Sequence, residues 1–142
     1  MDTIVGTGVD VVEIRRMARS IERSREAFDS RCFTPAERLR ADAARDAVVH
    51  RAALFAAKEA LFKAIGLTYD GGFDWLDLNV DPVRRGSPGV ACTGAVARAL
   101  GSDRLLLSLA FGSKHVVALA LRVRPRNSGA TTDHGETGIR SC

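Results

Sequence analysis

Apolar and polar positions alternate with period two from Thr3 to Val12, around Val5, Val9 and Val11, which predicts a strand that carries two glycines. From Glu13 to Arg25 the period lengthens: Ile14, Met17, Ala18 and Ile21 recur at helical spacing. Thr34-Pro35-Ala36-Glu37 is a helix start, with Thr34 as cap, Pro35 in the first turn and Glu37 closing a capping box. That helix is expected to reach about Ala44. A second begins near Asp46 and runs through Ile65 to a stop at Gly66. Tyr69–Phe73, with Gly71-Gly72, reads as a loop, Trp75–Val80 as a strand and Val90–Cys92 as a short strand. Thr93 caps a short helix ending at Gly101. Leu105–Phe111 and Lys114–Val123 are β-rich and joined by Gly112-Ser113, a type II′ hairpin signal. This order predicts an α+β domain with a mainly antiparallel sheet packed against a long helix. The domain is expected over residues 1–124. Beyond Arg124 large apolar side chains almost vanish, so 125–142 are read as a disordered, dispensable tail.

Composition narrows the class without changing that picture. At 142 residues, 46% hydrophobic and 27% charged, the chain fits one globular domain and excludes wholesale disorder. No apolar stretch approaches the roughly 20 residues of a membrane helix, and Met1-Asp2-Thr3 does not open like a signal peptide, so a cytoplasmic protein without a membrane partner is expected. Three widely spaced cysteines, Cys32, Cys92 and Cys142, suggest neither a disulfide framework nor a zinc motif. The net charge is only +4, but ten arginines against six acids lie between Arg15 and Arg51. Such a surface is read first as solvated, and as a partner site it suits an acidic protein or a phosphate-bearing ligand. With aromatics at 6%, stacking platforms for bases are few, and no nucleic-acid partner is expected.

Two acids stand out from their surroundings. Asp10 sits in Gly8-Val9-Asp10-Val11-Val12, among β-branched neighbours that disfavour aspartate. Taken alone, it could cap the next helix or accept backbone hydrogen bonds. Glu59 lies in Phe55-Ala56-Ala57-Lys58-Glu59-Ala60-Leu61-Phe62-Lys63-Ala64, a helix apolar nearly all round, where Glu59 and Lys63 share a stripe with Ala52, Phe55, Ala56 and Phe62. An exposed i,i+4 ion pair is the bland account of Glu59 and Lys63. Yet the alanines beside them let another backbone or a ligand approach closely. A carboxylate from a strand and one from a helix can hold a hard cation such as Mg²⁺, which takes one or two carboxylates and is completed by substrate phosphates that Lys63 would help neutralise. His50 reads as a structural histidine, Trp75 as core or interface, and Cys32 as a small buried hydrophobe.

Gly8-Val9-Asp10-Val11-Val12-Glu13-Ile14, followed by Phe55-Ala56-Ala57-Lys58-Glu59-Ala60 and Lys63-Ala64, resembles the paired signature of the 4′-phosphopantetheinyl transferases, in the small holo-acyl-carrier-protein synthase type. The resemblance spans about Ile4 to Val123. It implies Mg²⁺-dependent transfer of phosphopantetheine from coenzyme A to a serine of an acidic acyl or peptidyl carrier protein, with release of adenosine 3′,5′-bisphosphate. Asp10 and Glu59 would ligate the metal, Glu59 or a water on the ion would help remove the serine proton, and Lys63 would stabilise the phosphate. Arg15, Arg16, Phe28 and Arg31 become candidate carrier contacts, and small members resemble one another as homotrimers. The chain departs from the family pattern at Leu54, where an arginine is usual, and at Ala110 and Phe111, where a hydroxyl residue and a histidine are usual. Arg51, Lys114 and His115 are the candidate substitutes toward coenzyme A. The alternative reading is a repurposed or silent homologue that binds or acts on carrier- or coenzyme A-linked substrates.

Overall fold

The structure, a computed structural model, describes residues 1–82, 87–126 and 140–141. Two three-stranded sheets, entirely antiparallel among the described residues, are assembled around one long helix. Strand β1 (Thr3–Glu13) runs into helix α1 (Ile14–Cys32), followed by α2 (Pro35–Ala43) and α3 (Ala47–Ile65). A 3₁₀ turn at Trp75–Asp77 leads into β2 (Leu78–Asp81) and β3 (Gly89–Cys92); α4 (Gly94–Leu100), β4 (Arg104–Phe111) and β5 (His115–Arg124) complete the domain, and β6 (Arg140–Ser141) pairs with β3. The larger sheet has the order β1-β5-β4 and the smaller β2-β3-β6. The expected α+β class, with a mainly antiparallel sheet on a long helix, is what the chain adopts.

Local chemistry explains most boundaries. Thr34 accepts the Glu37 N–H and Glu37 accepts the Thr34 N–H, the full capping box expected of that sequence. Asp46 accepts from the N–H groups of Val48 and Val49, and Gly66 ends α3 in the left-handed region (φ 75°). Four expectations are corrected. Helix α1 does not stop at Arg25 but continues to Cys32 through a kink at Ser24 (φ −165°, ψ 65°), because Phe28 and Asp29 find partners across the core. Trp75–Asp77 is a 3₁₀ turn capped by Asp74, so the strand begins only at Leu78. The β4–β5 connection is three residues, Gly112–Lys114, in place of a two-residue turn, with the Gly112 N–H donating to the His115 carbonyl. At α4 the Asp77 carboxylate, not Thr93, receives a helix N–H, from Ala95. Within the segment read as a tail, Arg140–Ser141 form a strand on β3, while 127–139 and 142 lie outside the described residues. Cys32 is free, whereas Cys92 is disulfide-bonded, which the spacing of the cysteines did not suggest.

Helix α3 fills the groove of the larger sheet. Its Ala52, Ala53, Ala56, Ala57, Ala60 and Ala64 are all buried, facing Val12, Val116, Ala118 and Ala120. Two buried cations of α3, Lys58 and Arg51, tie α1 and α2 to it. Lys58, 1% exposed, forms an ion pair of 2.7 Å with fully buried Glu37 and donates to the carbonyls of Cys32 and Trp75. Burial pulls the Lys58 ammonium below its ordinary value, and the charge of Glu37 pushes back. Glu37 also accepts the Val80 N–H, so one pair joins α1, α2, α3 and β2. Arg51, equally buried, donates to both oxygens of Asp29 and to Asp42. His50 is buried as expected of a structural histidine, but its Nε2 has no partner among the described residues, and burial lowers its pKa. Replacing Lys58 by methionine strands a buried carboxylate, so Lys58→Met is expected to lose about 3–5 kcal/mol in urea unfolding, with Lys58→Met/Glu37→Met recovering much of it. Equal losses in the single and double variants would refute the pairing.

Candidate active site

The site begins with backbone proximity. β1 crosses α3 at Gly6 and Gly8, where an added Cβ would collide with the carbonyl oxygens of Ala64 and Ala60. With no side chain on the strand at these two positions, it lies directly on the helix carbonyls, with Lys63 Cβ beside Gly8. Asp10 follows two residues later on the same sheet face as Gly8, and so lands beside the helical turn that carries Glu59 and Lys63.

Three charged groups result. Lys63 Nζ donates to the Val9 carbonyl at 2.7 Å and to Asp10 Oδ1 at 3.1 Å. The side chain of Asp10 is 19% exposed and that of Lys63 46%, so the pair sits at the rim of the core. Glu59 is half-buried, and its carboxyl is raised above the usual range first by burial, then by the charge of Asp10, with Lys63 opposing. Asp10 is therefore not a helix cap, because Glu13 occupies that position in α1.

Asp10 and Glu59 open into a cavity of 520 Å³ between β1, α1 and α3, lined also by Arg16, Met17, Ser20, Phe28, Phe55 and His115. Five sequence candidates thus meet in one recess: Asp10, Glu59, Arg16, Phe28 and His115. Phe28 holds the wall by packing on Phe55 at 5.6 Å and, edge-on, on Phe33 at 5.6 Å; Phe55 in turn stacks on Trp75 at 6.5 Å. The Ile14 N–H donates to the Lys114 carbonyl, which draws the β4–β5 turn against the start of α1 and carries His115 to the cavity. Arg15 and Lys114 line an adjoining recess of 430 Å³ that shares Glu13 and His115.

Other candidates fall elsewhere. Arg51 is corrected: its guanidinium is enclosed and already committed to Asp29 and Asp42, which raise its pKa further, so it is not available to a phosphate in the cavity. Arg31 is exposed in the last turn of α1 and lines neither recess. Leu54 is fully buried, a core position in this chain. Ala110 lies opposite Val117 on the outer sheet face and Phe111 is half-exposed opposite Val116. What the sequence did not reveal is the task of Lys58, whose inward direction is set by Glu37 twenty-one residues earlier.

Among the described residues no group of three or more histidine, cysteine, aspartate and glutamate side chains is clustered as a metal cage. The donor set is instead two carboxylates, one of them held protonated more readily by its burial and then by its neighbour’s charge, beside an open cavity. That chemistry fits Mg²⁺, which needs few protein ligands when phosphates complete its shell, and fits poorly a metal that demands a closed set of soft donors.

A family model described as the 4′-phosphopantetheinyl transferase superfamily matches residues 6–120, which include β1 from Gly6 onward and the whole of α3. The chain belongs to this superfamily. A relative from Koribacter versatilis named holo-[acyl-carrier-protein] synthase is 42% identical over 118 residues, covering 81% of this chain and 94% of its own. One of the same name from Desulforudis audaxviator is 41% identical over 128 residues, covering 88% and 97%. The crystal structure of holo-[acyl-carrier-protein] synthase from Neisseria meningitidis aligns with a TM-score of 0.76 at 30% identity, over 84% of this chain and 98% of that one. A Bacillus anthracis holo-(acyl-carrier-protein) synthase solved in complex with CoA (3′,5′-ADP) aligns at 0.69 and 26% identity, over 86% and 98%.

In this member of the transferase superfamily the raised Glu59 carboxyl has a measurable consequence. A carboxyl with a higher pKa folded than unfolded supports stability below the ordinary carboxylate range, and that support is lost as pH rises through the folded value. At neutral pH without divalent ions Glu59 therefore opposes folding. Glu59→Gln is expected to raise the melting temperature at pH 7 and to leave it nearly unchanged at pH 4. An unchanged or lower melting temperature at pH 7 would remove this account of Glu59.

Proposed function

We propose that the chain is a holo-acyl-carrier-protein synthase, transferring 4′-phosphopantetheine from coenzyme A to a serine hydroxyl of an apo carrier protein. The observation that carries the reading is the meeting of Asp10 and Glu59 at a cavity whose other wall is the arginine-bearing face of α1, with Lys63 bonded to Asp10 behind them. In the reaction the serine oxygen bonds to the phosphorus bearing pantetheine, the bond from that phosphorus to the bridging oxygen breaks, and adenosine 3′,5′-bisphosphate leaves. Asp10 and Glu59 are the residues that would hold Mg²⁺, which when bound offsets charge on the diphosphate. Glu59, whose carboxyl is already biased toward the protonated form, takes up the serine proton. Lys63 presents its ammonium to the phosphate oxygens from the rim, and His115 stands across the same cavity as a second cationic or hydrogen-bonding group.

Arg16 and Ser20 line the cavity from α1 and Arg15 lies just beyond it, an arrangement suited to an acidic carrier whose serine must enter between α1 and β1. Arg31, exposed one turn past Phe28, extends that basic face along the helix. No helix among the described residues is long and apolar enough to cross a membrane, and a cytoplasmic site of action is our reading. A homotrimer is proposed from the outer face of the larger sheet. Val9, Val11, Leu106, Val117 and Leu119 stand exposed there on adjacent strands. So continuous an apolar face is unusual on a soluble monomer. Val9→Glu/Leu119→Glu is expected to shift the chain to a monomer in sedimentation velocity, and a wild-type chain that sediments as a monomer would refute the assembly.

Intact-mass measurement of an apo carrier incubated with coenzyme A and Mg²⁺ tests the reaction directly. The carrier is expected to gain one phosphopantetheine, and Asp10→Asn and Glu59→Gln to slow the gain by at least about 100-fold while melting as folded proteins. Binding of carriers with no mass gain would favour the repurposed homologue.

A further inference from the structure

We infer that Lys63 is a fixed internal counterion that weakens the hold of Asp10 and Glu59 on a free divalent ion, making metal binding depend on the phosphates of the substrate; the inference rests on the metal-pair reading above. Lys63 is not a loose surface lysine. β1 is an edge strand of its sheet, and Lys63 Nζ takes the Val9 carbonyl at 2.7 Å independently of any carboxylate. The start of its side chain is equally constrained, because Lys63 Cβ lies against Gly8, where an added methyl group would overlap it. Anchored at both ends, the ammonium stands 3.1 Å from Asp10 Oδ1. One positive charge therefore serves two carboxylates, and a divalent ion drawn to Asp10 must share it with a like charge that the backbone carbonyl keeps in place. The separation is far inside the screening length of roughly 8 Å at physiological salt, so salt does not relieve the conflict. Two phosphates add the negative charge that removes it, and among the described residues the third ammonium proton of Lys63 has no protein acceptor competing for it. In this role Lys63 is a positioning residue toward the metal as well as a phosphate contact.

Calorimetric titration with Mn²⁺ alone, on the full chain, tests the inference without turnover. Lys63→Met keeps the aliphatic stem on Gly8 and removes the charge; it is expected to bind Mn²⁺ at least about tenfold more tightly than the wild type. Lys63→Arg retains the charge and is expected to restore weak binding, which a merely structural role for the side chain would not do. Asp10→Asn in the Lys63→Met background is expected to abolish the gain. Because the chain has only three lysines, Lys58, Lys63 and Lys114, labelled side-chain nitrogens report the same event by magnetic resonance. Mg²⁺ is expected to shift Lys63 and leave buried Lys58 in place. The unshifted fluorescence of Trp75 and the melting temperature verify that the variants fold. Equal or weaker Mn²⁺ binding by Lys63→Met, with saturable binding in the wild type, overturns the counterion role alone. No saturable binding in either form overturns the metal pair and this inference with it.

Discussion

The contact between the backbone of β1 and that of α3 governs everything built above it. Glycine on the strand and alanine on the helix let Gly8 meet the Ala60 carbonyl without intervening side chains. Any larger residue at either position would lift the strand by a fraction of a side chain, and Asp10 would rise with it. Part of the electrostatics of the site follows from that spacing: burial raises the Glu59 carboxyl first, Asp10 adds to the shift and Lys63 opposes it, and both charge effects fade with distance. The helix face that meets the strand is correspondingly rich in alanine, with Ala60 and Ala64 buried beneath Gly8 and Gly6.

Much of this was legible in the sequence because it is written locally. The Thr34–Glu37 capping box, the Asp46 and Gly66 ends of α3 and the antiparallel β4–β5 pair each rest on residues a few positions apart. Asp10 and Glu59 were visible as acids out of keeping with apolar elements, and the paired motifs tied them together. What stayed hidden depends on partners far along the chain. Arg51 looked available for a phosphate because nothing near it in sequence shows that Asp29 and Asp42 enclose it. The extension of α1 past Ser24 has the same origin, since Asp29 and Phe28 are held by α3 and not by helix propensity. Leu54 reads as a lost polar contact on the motif alone, and the structure makes it core.

The basic region between Arg15 and Arg51 also resolves into two different uses. Arg51 is internal, Arg25 pairs with Asp29 and Asp42, Arg38 pairs with Glu26, and Arg40 reaches Asn79 and the Val80 carbonyl. Those arginines fasten helices to each other and to β2. Arg15, Arg16, Arg19, Arg23 and Arg31 are exposed along α1. A count of arginines therefore overstates the surface offered to an acidic partner, and the part that remains is concentrated on one helix beside the cavity.

Lys58 and Glu59 are consecutive residues that the helix sends about 100° apart, to different surroundings. The first is sealed inside against Glu37, the second opens into the cavity beside Asp10. Reversing the order of these two letters would leave composition, net charge and helix propensity as they are. It would also set two carboxylates face to face in the core and an ammonium beside Lys63 where an anion is required. The information that makes this helix both a scaffold and a site resides in the order of a dipeptide, and no measure of amino-acid content can register it.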